Sequence, residues 1–213
     1  MKKLSVLLLC VAIASSTYAQ KKSPIRFGVK GGANLSRGAI DSDYDFDGLK
    51  NKFGVGFHVG GLMEVSGPAG SKLKGQVEAL YNMHNFKNEY NDILGNVSGK
   101  TTLHQISVPV MLKYFITPRF SINAGPSVNF NIAGKTKSEI TNGAFTVKDE
   151  VNLKDDDMLQ TIQVGALAGV TYYIHKGFFV DARYNYYFGS AFKDDDFAKM
   201  RVSAIQLGVG NKF

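Results

Sequence analysis

Apolar and polar residues alternate one by one through eight stretches of this chain. Because successive side chains of a β-strand point to opposite faces, this alternation predicts strands with one apolar and one polar face. In the last stretch Ile205, Leu207 and Val209 share the apolar face, and small or polar residues fill the other. The predicted strands cover residues 25–35, 53–65, 72–84, 102–115, 119–132, 159–174, 178–188 and 200–213.

The connections between these strands alternate between short and long. Short turns rich in Gly, Pro and Ser are predicted at residues 66–71, 116–118 and 175–177, and long polar loops at residues 36–52, 85–101, 134–157 and 189–199. This asymmetry is typical of bacterial outer-membrane barrels, whose short turns face the periplasm. Strands of about ten residues or more are long enough to cross a bilayer at a tilt. The pattern therefore predicts an all-β fold, an eight-stranded antiparallel up-and-down transmembrane β-barrel.

A soluble alternative is also consistent with the alternation taken alone. An exported, lipocalin-like ligand binder would turn the apolar face inward and the charged face to water. Two features favour the membrane barrel instead. The polar face is rich in Gly, Ser and Asn, which suits a narrow lumen, and aromatic residues such as Tyr172 and Phe178 cluster at strand ends, as interfacial girdles do.

The N-terminal residues have the composition of a secretory signal peptide. A short positively charged start is followed by the apolar residues 4–14 and by a small-residue cleavage site that ends at Ala19. We therefore expect residues 1–19 to be removed and residues 20–213 to form the barrel domain. A retained N-terminal anchor is the alternative, although the apolar segment is short for a spanning helix. Cys10, the single cysteine, follows leucines where a lipoprotein signal has a small residue, so neither lipidation nor a disulfide in the mature chain is expected.

The charge balance of the chain is basic, with a formal net charge of +7 from 25 Lys and Arg against 18 Asp and Glu. Such a balance can indicate nucleic-acid binding. Here the basic residues stand singly along the sequence and the chain is predicted to be exported. Nucleic acid is therefore not an expected partner.

Two prolines fall inside predicted strands. Pro109 and Pro126 have no N–H group to donate to a β-ladder. We therefore expect β-bulges at both positions, and beyond them a slip by one residue in the alternation of faces.

Four short segments resemble a known family, the Bacteroidota outer-membrane β-barrels often called PorT-like. Residues 27–36, Phe-Gly-Val-Lys-Gly-Gly-Ala-Asn-Leu-Ser, resemble the family's opening strand, and residues 106–114 are similar to its Ile-Pro-Leu-Leu-Leu-Lys-Tyr-type strand. Residues 124–126 look like its Gly-Pro strand, and residues 181–184 like its Arg-Tyr strand. The resemblance covers nearly the whole mature chain and implies an eight-stranded barrel in the outer membrane, with the two prolines as a family feature.

These motifs are structural, so the resemblance specifies the fold more than the function. The family's namesake takes part in a protein secretion system, and nothing in the sequence ties this chain to that role. The apolar last strand ends at Phe213 and resembles the closing strand of outer-membrane barrels. In such barrels the barrel assembly machinery reads the terminal aromatic residue, which makes that machinery an expected partner.

The candidate site in the lumen consists of three charged residues. Lys30, Glu78 and Arg183 lie on the predicted polar face at similar heights above the short turns. An unpaired buried charge costs several kcal/mol, so these groups must be paired. The pairing can serve as a salt-bridge network that plugs the barrel, or as the electrostatic gate of a small pore.

An acidic loop offers a second candidate site. Asp43, Asp45 and Asp47 precede Gly48 with the spacing that begins a calcium loop, but Gly54 stands where the bidentate Glu is required. Solvated surface loops are the simpler interpretation. The alternative is a divalent ion that bridges these loops to lipopolysaccharide, which with outer-membrane lipid is an expected contact.

An enzyme is the second functional class. Some small barrels modify lipid A. His84 and His104 lie near the predicted long-loop ends of adjacent strands, and Ser107 lies on the neighbouring stretch of strand. No Gly-x-Ser-x-Gly motif occurs, and His104 and Ser107 have opposite strand parity, so a nucleophile and base are not expected to meet. We therefore expect a non-enzymatic outer-membrane protein without a cofactor. It would serve as a structural barrel, a small pore or a loop-presenting scaffold, with a secretion or adhesion partner.

Overall fold

The structure, a computed structural model, describes residues 25–41, 49–92, 95–142, 145–153, 159–175, 177–191 and 199–213. Within these ranges the chain forms nine β-strands. They are β1 (Ile25–Asp41), β2 (Leu49–Ser66), β3 (Leu73–Asp92), β4 (Gly95–Thr117), β5 (Phe120–Asn142), β6 (Phe145–Asn152), β7 (Ile162–His175), β8 (Phe178–Tyr187) and β9 (Lys199–Lys212). The same residues include no helix with the length and apolar character to span a membrane.

Eight of these strands close into a barrel. All strands except β6 pair antiparallel with both of their neighbours, and the ring is completed where β5 meets β7 and where β1 meets β9. The β1–β9 seam runs from Gly28↔Lys212 to Asp41↔Lys199. Closure gives the backbone N–H and C=O groups of every strand hydrogen-bond partners on both sides. The barrel can therefore be embedded in lipid, where no water is present to bond those groups. The predicted eight-stranded antiparallel barrel is confirmed.

The two faces of the barrel wall are apolar outside and polar inside. In β1, Phe27 is 55% exposed and Val29 is 53% exposed, whereas Lys30 and Asn34 on the opposite face of the strand are 3% and 0% exposed. The same alternation continues around the barrel, with charged and amide side chains buried in the lumen. A water-soluble barrel would bury the large apolar residues instead. The predicted direction of the faces is confirmed, and the lipocalin-like alternative is wrong.

The predicted bulges at the two prolines are wrong. Between β4 and β5 the register is the same on both sides of the prolines, with Val108↔Val128 before them and Leu112↔Ala124 after them. The ladder omits bridges beside each proline but inserts no extra residue, so the alternation of faces does not slip. The register shifts between these two strands lie elsewhere, at His104/Gln105 and at Phe115/Thr117.

Close approach of the backbones explains the Gly-Pro sequence in β5. A Cβ atom on Gly125 would lie 1.9 Å from the carbonyl oxygen of Val110 in β4. Only glycine therefore fits beside β4 at the point where Pro126 leaves the ladder without a donor.

Two of the predicted long loops are in fact strands. β3 and β4 remain paired as far as Asp92↔Gly95, and β5 pairs with β6 from Lys135↔Asn152 to Asn142↔Phe145. We call this sheet, residues 86–92, 95–103, 134–142 and 145–152, the outer extension. At its base inside the barrel lies an apolar cluster of Phe86, Leu103, Leu153, Leu159, Tyr187, Ala191 and Val202.

Candidate functional site

The middle of the lumen holds an ion-pair network with Arg183 at its centre. The guanidinium of Arg183 donates two parallel hydrogen bonds to Glu78, Nη1 to Oε2 at 2.8 Å and Nη2 to Oε1 at 3.0 Å. It also donates from Nη2 to Asp181 Oδ2 at 2.6 Å, and the Lys30 ammonium contacts the same oxygen at 2.5 Å. We call Lys30, Glu78, Asp181 and Arg183 the central network. It contains two cations and two carboxylates, and its side chains are at most 2% exposed.

The structure brings together the three lumen residues that the sequence singled out, and it adds a fourth. Glu78 and Arg183 are in direct contact, whereas Lys30 is linked to Arg183 through Asp181. Sequence reasoning placed Asp181 on the polar face but not in the site. Its position two residues before Arg183 on one strand, which places both side chains on one face, was the signal that could have found it.

A second group of charges lies nearer the short turns. Glu64 accepts hydrogen bonds from Lys212 and, at 3.1 Å, from Lys74, and its Oε2 lies 3.9 Å from Lys113. The two buried ammonium groups of Lys113 and Lys212 also share the Tyr173 hydroxyl, at 3.1 and 2.6 Å. We call Glu64, Lys74, Lys113 and Lys212 the mouth cluster. It contains three cations and one carboxylate.

One amide joins the two groups. Gln76 Oε1 accepts from Lys113 at 3.2 Å and from Lys212 at 3.0 Å, while its Nε2 donates to Glu78 Oε1 at 2.5 Å. The charges of the lumen therefore form one connected set that spans two levels of the barrel.

Amide and hydroxyl side chains fill the lumen on the outer side of the central network. Gln206 donates to Asn82 at 2.8 Å, Asn82 donates to Ser107 at 2.9 Å, and Gln105 donates to Asn131 at 2.8 Å. The cavity among these residues has a volume of about 10 Å³, which is room for one water molecule at most. With the apolar cluster above it, the lumen is closed at this level.

Lysines stand side by side on the outward face of the outer extension. The register places Lys87 opposite Lys100, Lys100 opposite Lys137, and Lys137 opposite Glu150. We call Lys87, Lys100 and Lys137 the lysine row; all three are exposed and line a hollow of about 580 Å³. Glu150 Oε2 lies 2.9 Å from Lys137, and its Oε1 lies 3.2 Å from Lys135.

These contacts set the ionisation of Glu150. Hydrogen bonds from Lys137 and Lys135 hold the pKa of Glu150 below its usual value, so it stays ionised at neutral pH. Sequence reasoning missed the lysine row because its members are far apart in the chain and only the strand register aligns them.

The family profile described as "Outer membrane protein beta-barrel domain" matches residues 18–193. The chain belongs to this family. Its members are outer-membrane barrels by that description, so the alternation of faces has its physical reason in lipid outside the barrel.

Solved structures of outer-membrane proteins are similar to this chain. Neisserial surface protein A is 16% identical with a TM-score of 0.50, and the match covers 88% of this chain and 97% of that one. Ail, the attachment invasion locus protein of Yersinia pestis, is 17% identical with a TM-score of 0.47 over 90% of this chain and 100% of that one. OprG of Pseudomonas aeruginosa is 15% identical with a TM-score of 0.41 over 88% and 95%. No curated protein matches.

The residues considered for lipid chemistry do not meet as a nucleophile and base at an open site. His104 Nδ1 lies 2.6 Å from the Tyr81 hydroxyl, while Ser107 hydrogen-bonds Asn82 and Gln105 in the lumen. His84 Nδ1 instead lies 2.7 Å from Ser36 Oγ, a pair that the sequence did not suggest. Both members of this pair are 0% exposed, so no substrate reaches the hydroxyl in this conformation.

The candidate calcium loop is not part of the described structure. Asp43, Asp45 and Asp47 lie outside the described residues, as do the acidic runs 155–157 and 194–196. Among the residues that are described, no group of three or more His, Cys, Asp or Glu side chains is placed to hold a metal ion.

Proposed function

We propose that this outer-membrane protein is a closed, non-conducting barrel that serves as a scaffold for its outer extension. The observation that carries the proposal is the filled lumen. Along the barrel axis the central network is followed by the amide and hydroxyl side chains around Asn82 and then by the apolar cluster. An eight-stranded barrel is just wide enough for side chains to fill it. A small pore is the weaker candidate, because an ion would have to displace a bidentate buried pair, and breaking such a pair costs about 3–5 kcal/mol.

Conductance separates scaffold from pore. The full-length mature protein in planar lipid bilayers is expected to give no unitary currents. The double variant Glu78→Ala/Arg183→Ala, which removes both partners of the bidentate pair, is the matched control that shows whether the assay detects an opened lumen. Steady currents through the wild-type protein at neutral pH would contradict the scaffold proposal and support the pore.

The outer extension supports a role in presentation. Strands β3 to β6 carry the sheet past the barrel wall, so this part of the chain is held by backbone pairing rather than left as loops. We infer that it contacts a secretion or adhesion partner at the cell surface. An epitope tag inserted between Asn142 and Phe145 should be bound by antibody on intact cells, and a tag placed at Gly70 in a short turn should not.

The lysine row supports lipopolysaccharide as a contact of the same surface. Like charges directly opposite each other destabilise a sheet, and phosphate groups of the outer leaflet would offset that repulsion. Purified lipopolysaccharide should raise the melting temperature of the wild type, and Lys100→Gln in the middle of the row should lose most of the gain. Lys135→Gln, which leaves the row intact, is the control. An equal rise in melting temperature in both variants would show that the lysine row does not bind lipopolysaccharide.

Sequence features support three finer assignments. We propose that the chain is PorT-like and from a Bacteroidota species, on the strand motifs at 27–36 and 106–114. We also propose that residues 1–19 are cleaved and that Phe213 is recognised during assembly. Mass spectrometry of the mature N-terminus should find Gln20, and Phe213→Ala should lower the amount of heat-modifiable, folded barrel in outer membranes.

The absence of an enzymatic role is part of the same proposal. The buried Ser36–His84 pair is the best nucleophile and base that the described residues offer, and it lies under the apolar cluster. Incubation with lipid A or phospholipid should give no acyl release by the wild type. Release that is lost in Ser36→Ala would show that the pair is a catalytic dyad.

A further inference from the structure

The mouth cluster is the place in the lumen where buried charges do not balance. Lys113 and Lys212 have side chains that are 1% exposed, and with Lys74 they share the single carboxylate of Glu64. Buried cations need a compensating charge. The Tyr173 hydroxyl and the Gln76 oxygen accept hydrogen bonds from them but carry no charge. The cluster therefore holds three basic side chains against one carboxylate.

A pocket opens beside this cluster at the short-turn end of the barrel. It has a volume of about 270 Å³, and its lining includes Glu64, Lys74, Phe115, Tyr173 and the exposed Arg26 and Arg119. Both arginines are exposed, and the β1–β2 register places Arg26 opposite Glu64. Lys74 is held between Glu64, at 3.1 Å, and the Phe115 ring, 4.7 Å from its centroid.

The described short-turn residues at this end supply no further acidic side chain. Residues 67–72, 118–119 and 177 contain no Asp or Glu, and Lys72 adds an exposed cation. Because the short turns of outer-membrane barrels face the periplasm, this end opens to that compartment.

We propose that this pocket binds an anionic group, a carboxylate or a phosphate, carried by a periplasmic ligand. The planar guanidinium groups of Arg26 and Arg119 present paired donors that fit such a group. The anion would lie over the excess charge of Lys74, Lys113 and Lys212, and the aromatic walls would contact the adjoining apolar part of its carrier. The pocket is small enough to take one acidic side chain or a free anion, and it does not depend on whether the barrel conducts or what the outer extension contacts.

Binding to the full-length protein in zwitterionic nanodiscs tests the proposal. Inorganic phosphate and an N-acetyl-Asp-Asp amide peptide are the two probes, titrated by calorimetry at constant ionic strength in chloride. Saturable binding of either is expected at millimolar concentrations, and the probe that binds identifies a free anion or an acidic peptide as the source. Arg26→Gln/Arg119→Gln should weaken it at least about tenfold.

Two matched controls keep the result specific. Lys72→Gln removes an exposed cation from the same end without touching the pocket, and Lys100→Gln removes one from the lysine row; both should bind like wild type. Intact folding of each variant is checked by heat-modifiable mobility. Binding that is equal in the double arginine variant, or that is lost only with Lys100→Gln, overturns the proposal, as does the absence of saturable binding by both probes.

Discussion

The central network and the mouth cluster are both built from charged residues in the same lumen, yet they differ in the ratio of basic to acidic groups. In the central network two cations meet two carboxylates, and Arg183 engages Glu78 through two parallel hydrogen bonds of 2.8 and 3.0 Å. In the mouth cluster three ammonium groups surround Glu64 alone. A buried set that balances its own charge needs no added counterion, so we propose a structural role for the central network. A set with more basic than acidic groups is open to an anion from outside, so we propose a binding role for the mouth cluster.

The largest effect is expected from breaking the balanced set. Arg183→Ala leaves Glu78 without its bidentate partner inside the barrel, and orphaned buried charges of this kind cost about 3–5 kcal/mol. The urea midpoint for unfolding from lipid vesicles, followed by heat-modifiable mobility, should fall accordingly. The double variant Glu78→Leu/Arg183→Leu should lose less than the single one because no orphaned partner remains from this pair. An unchanged midpoint for Arg183→Ala would mean that the network is not a plug.

The next effect separates the two sets by their response to added anion. Glu64→Gln removes the only carboxylate of the mouth cluster and should cost about 1.5–3 kcal/mol, the value of charge-assisted hydrogen bonds. Millimolar phosphate should restore part of this loss, because the pocket beside the cluster admits an anion from solution. Asp181→Asn in the central network should show no such recovery, since that site is closed. If phosphate restored the stability of both variants equally, the mouth cluster would not differ from the central network in its access to anions.

Sequence reasoning predicted the barrel wall well because lipid imposes a strict pattern. A residue such as Val29 must face lipid, and its neighbour Lys30 must face the lumen. The alternation of apolar and polar residues within each strand of the wall therefore predicts which face points outward. The outer extension was predicted as loops for the opposite reason. Lys100 and Lys137 lie in the outer extension, where the outward face carries exposed charged side chains instead of apolar ones. The period-two signal of residues 85–101 and 134–157 is therefore too weak to mark strands.

The charged sites were only partly predictable, because they depend on contacts between distant strands. Heights along each strand were enough to group Glu78 with Arg183, which lie on β3 and β8. The mouth cluster joins β2, β3, β4 and β9, and the lysine row joins β3, β4 and β5. Both depend on strand register, and in the lysine row the β4–β5 register is altered by the shift at His104/Gln105. No local feature of the sequence marks that shift, whereas the prolines that seemed to mark one do not produce it.

A smaller effect tests the excess charge directly. Lys113→Met removes one buried cation from the mouth cluster while retaining an unbranched side chain of similar length, so stability should stay level or rise by about 1 kcal/mol. Lys30→Met in the central network should lower it, because Asp181 then keeps Arg183 as its only cationic partner. The comparison is made on urea midpoints of the two variants in the same vesicles. Destabilisation of similar size in both would indicate that Lys113 is fully compensated within the chain.

The smallest effect belongs to the lysine row, where water screens the charges. Lys100 lies between Lys87 and Lys137 in the register. Lys100→Gln therefore removes the repulsion between Lys100 and each of these lysines, which should stabilise the outer extension by about 0.2–1 kcal/mol. The gain should shrink between low salt and 1 M salt, where the Debye length falls to about 3 Å. Hydrogen exchange of the paired amides in β4 measures it locally, without relying on unfolding of the whole barrel. Slower exchange in β4 at low salt is the expected result; unchanged exchange would show that the row carries no repulsion for an anion to relieve.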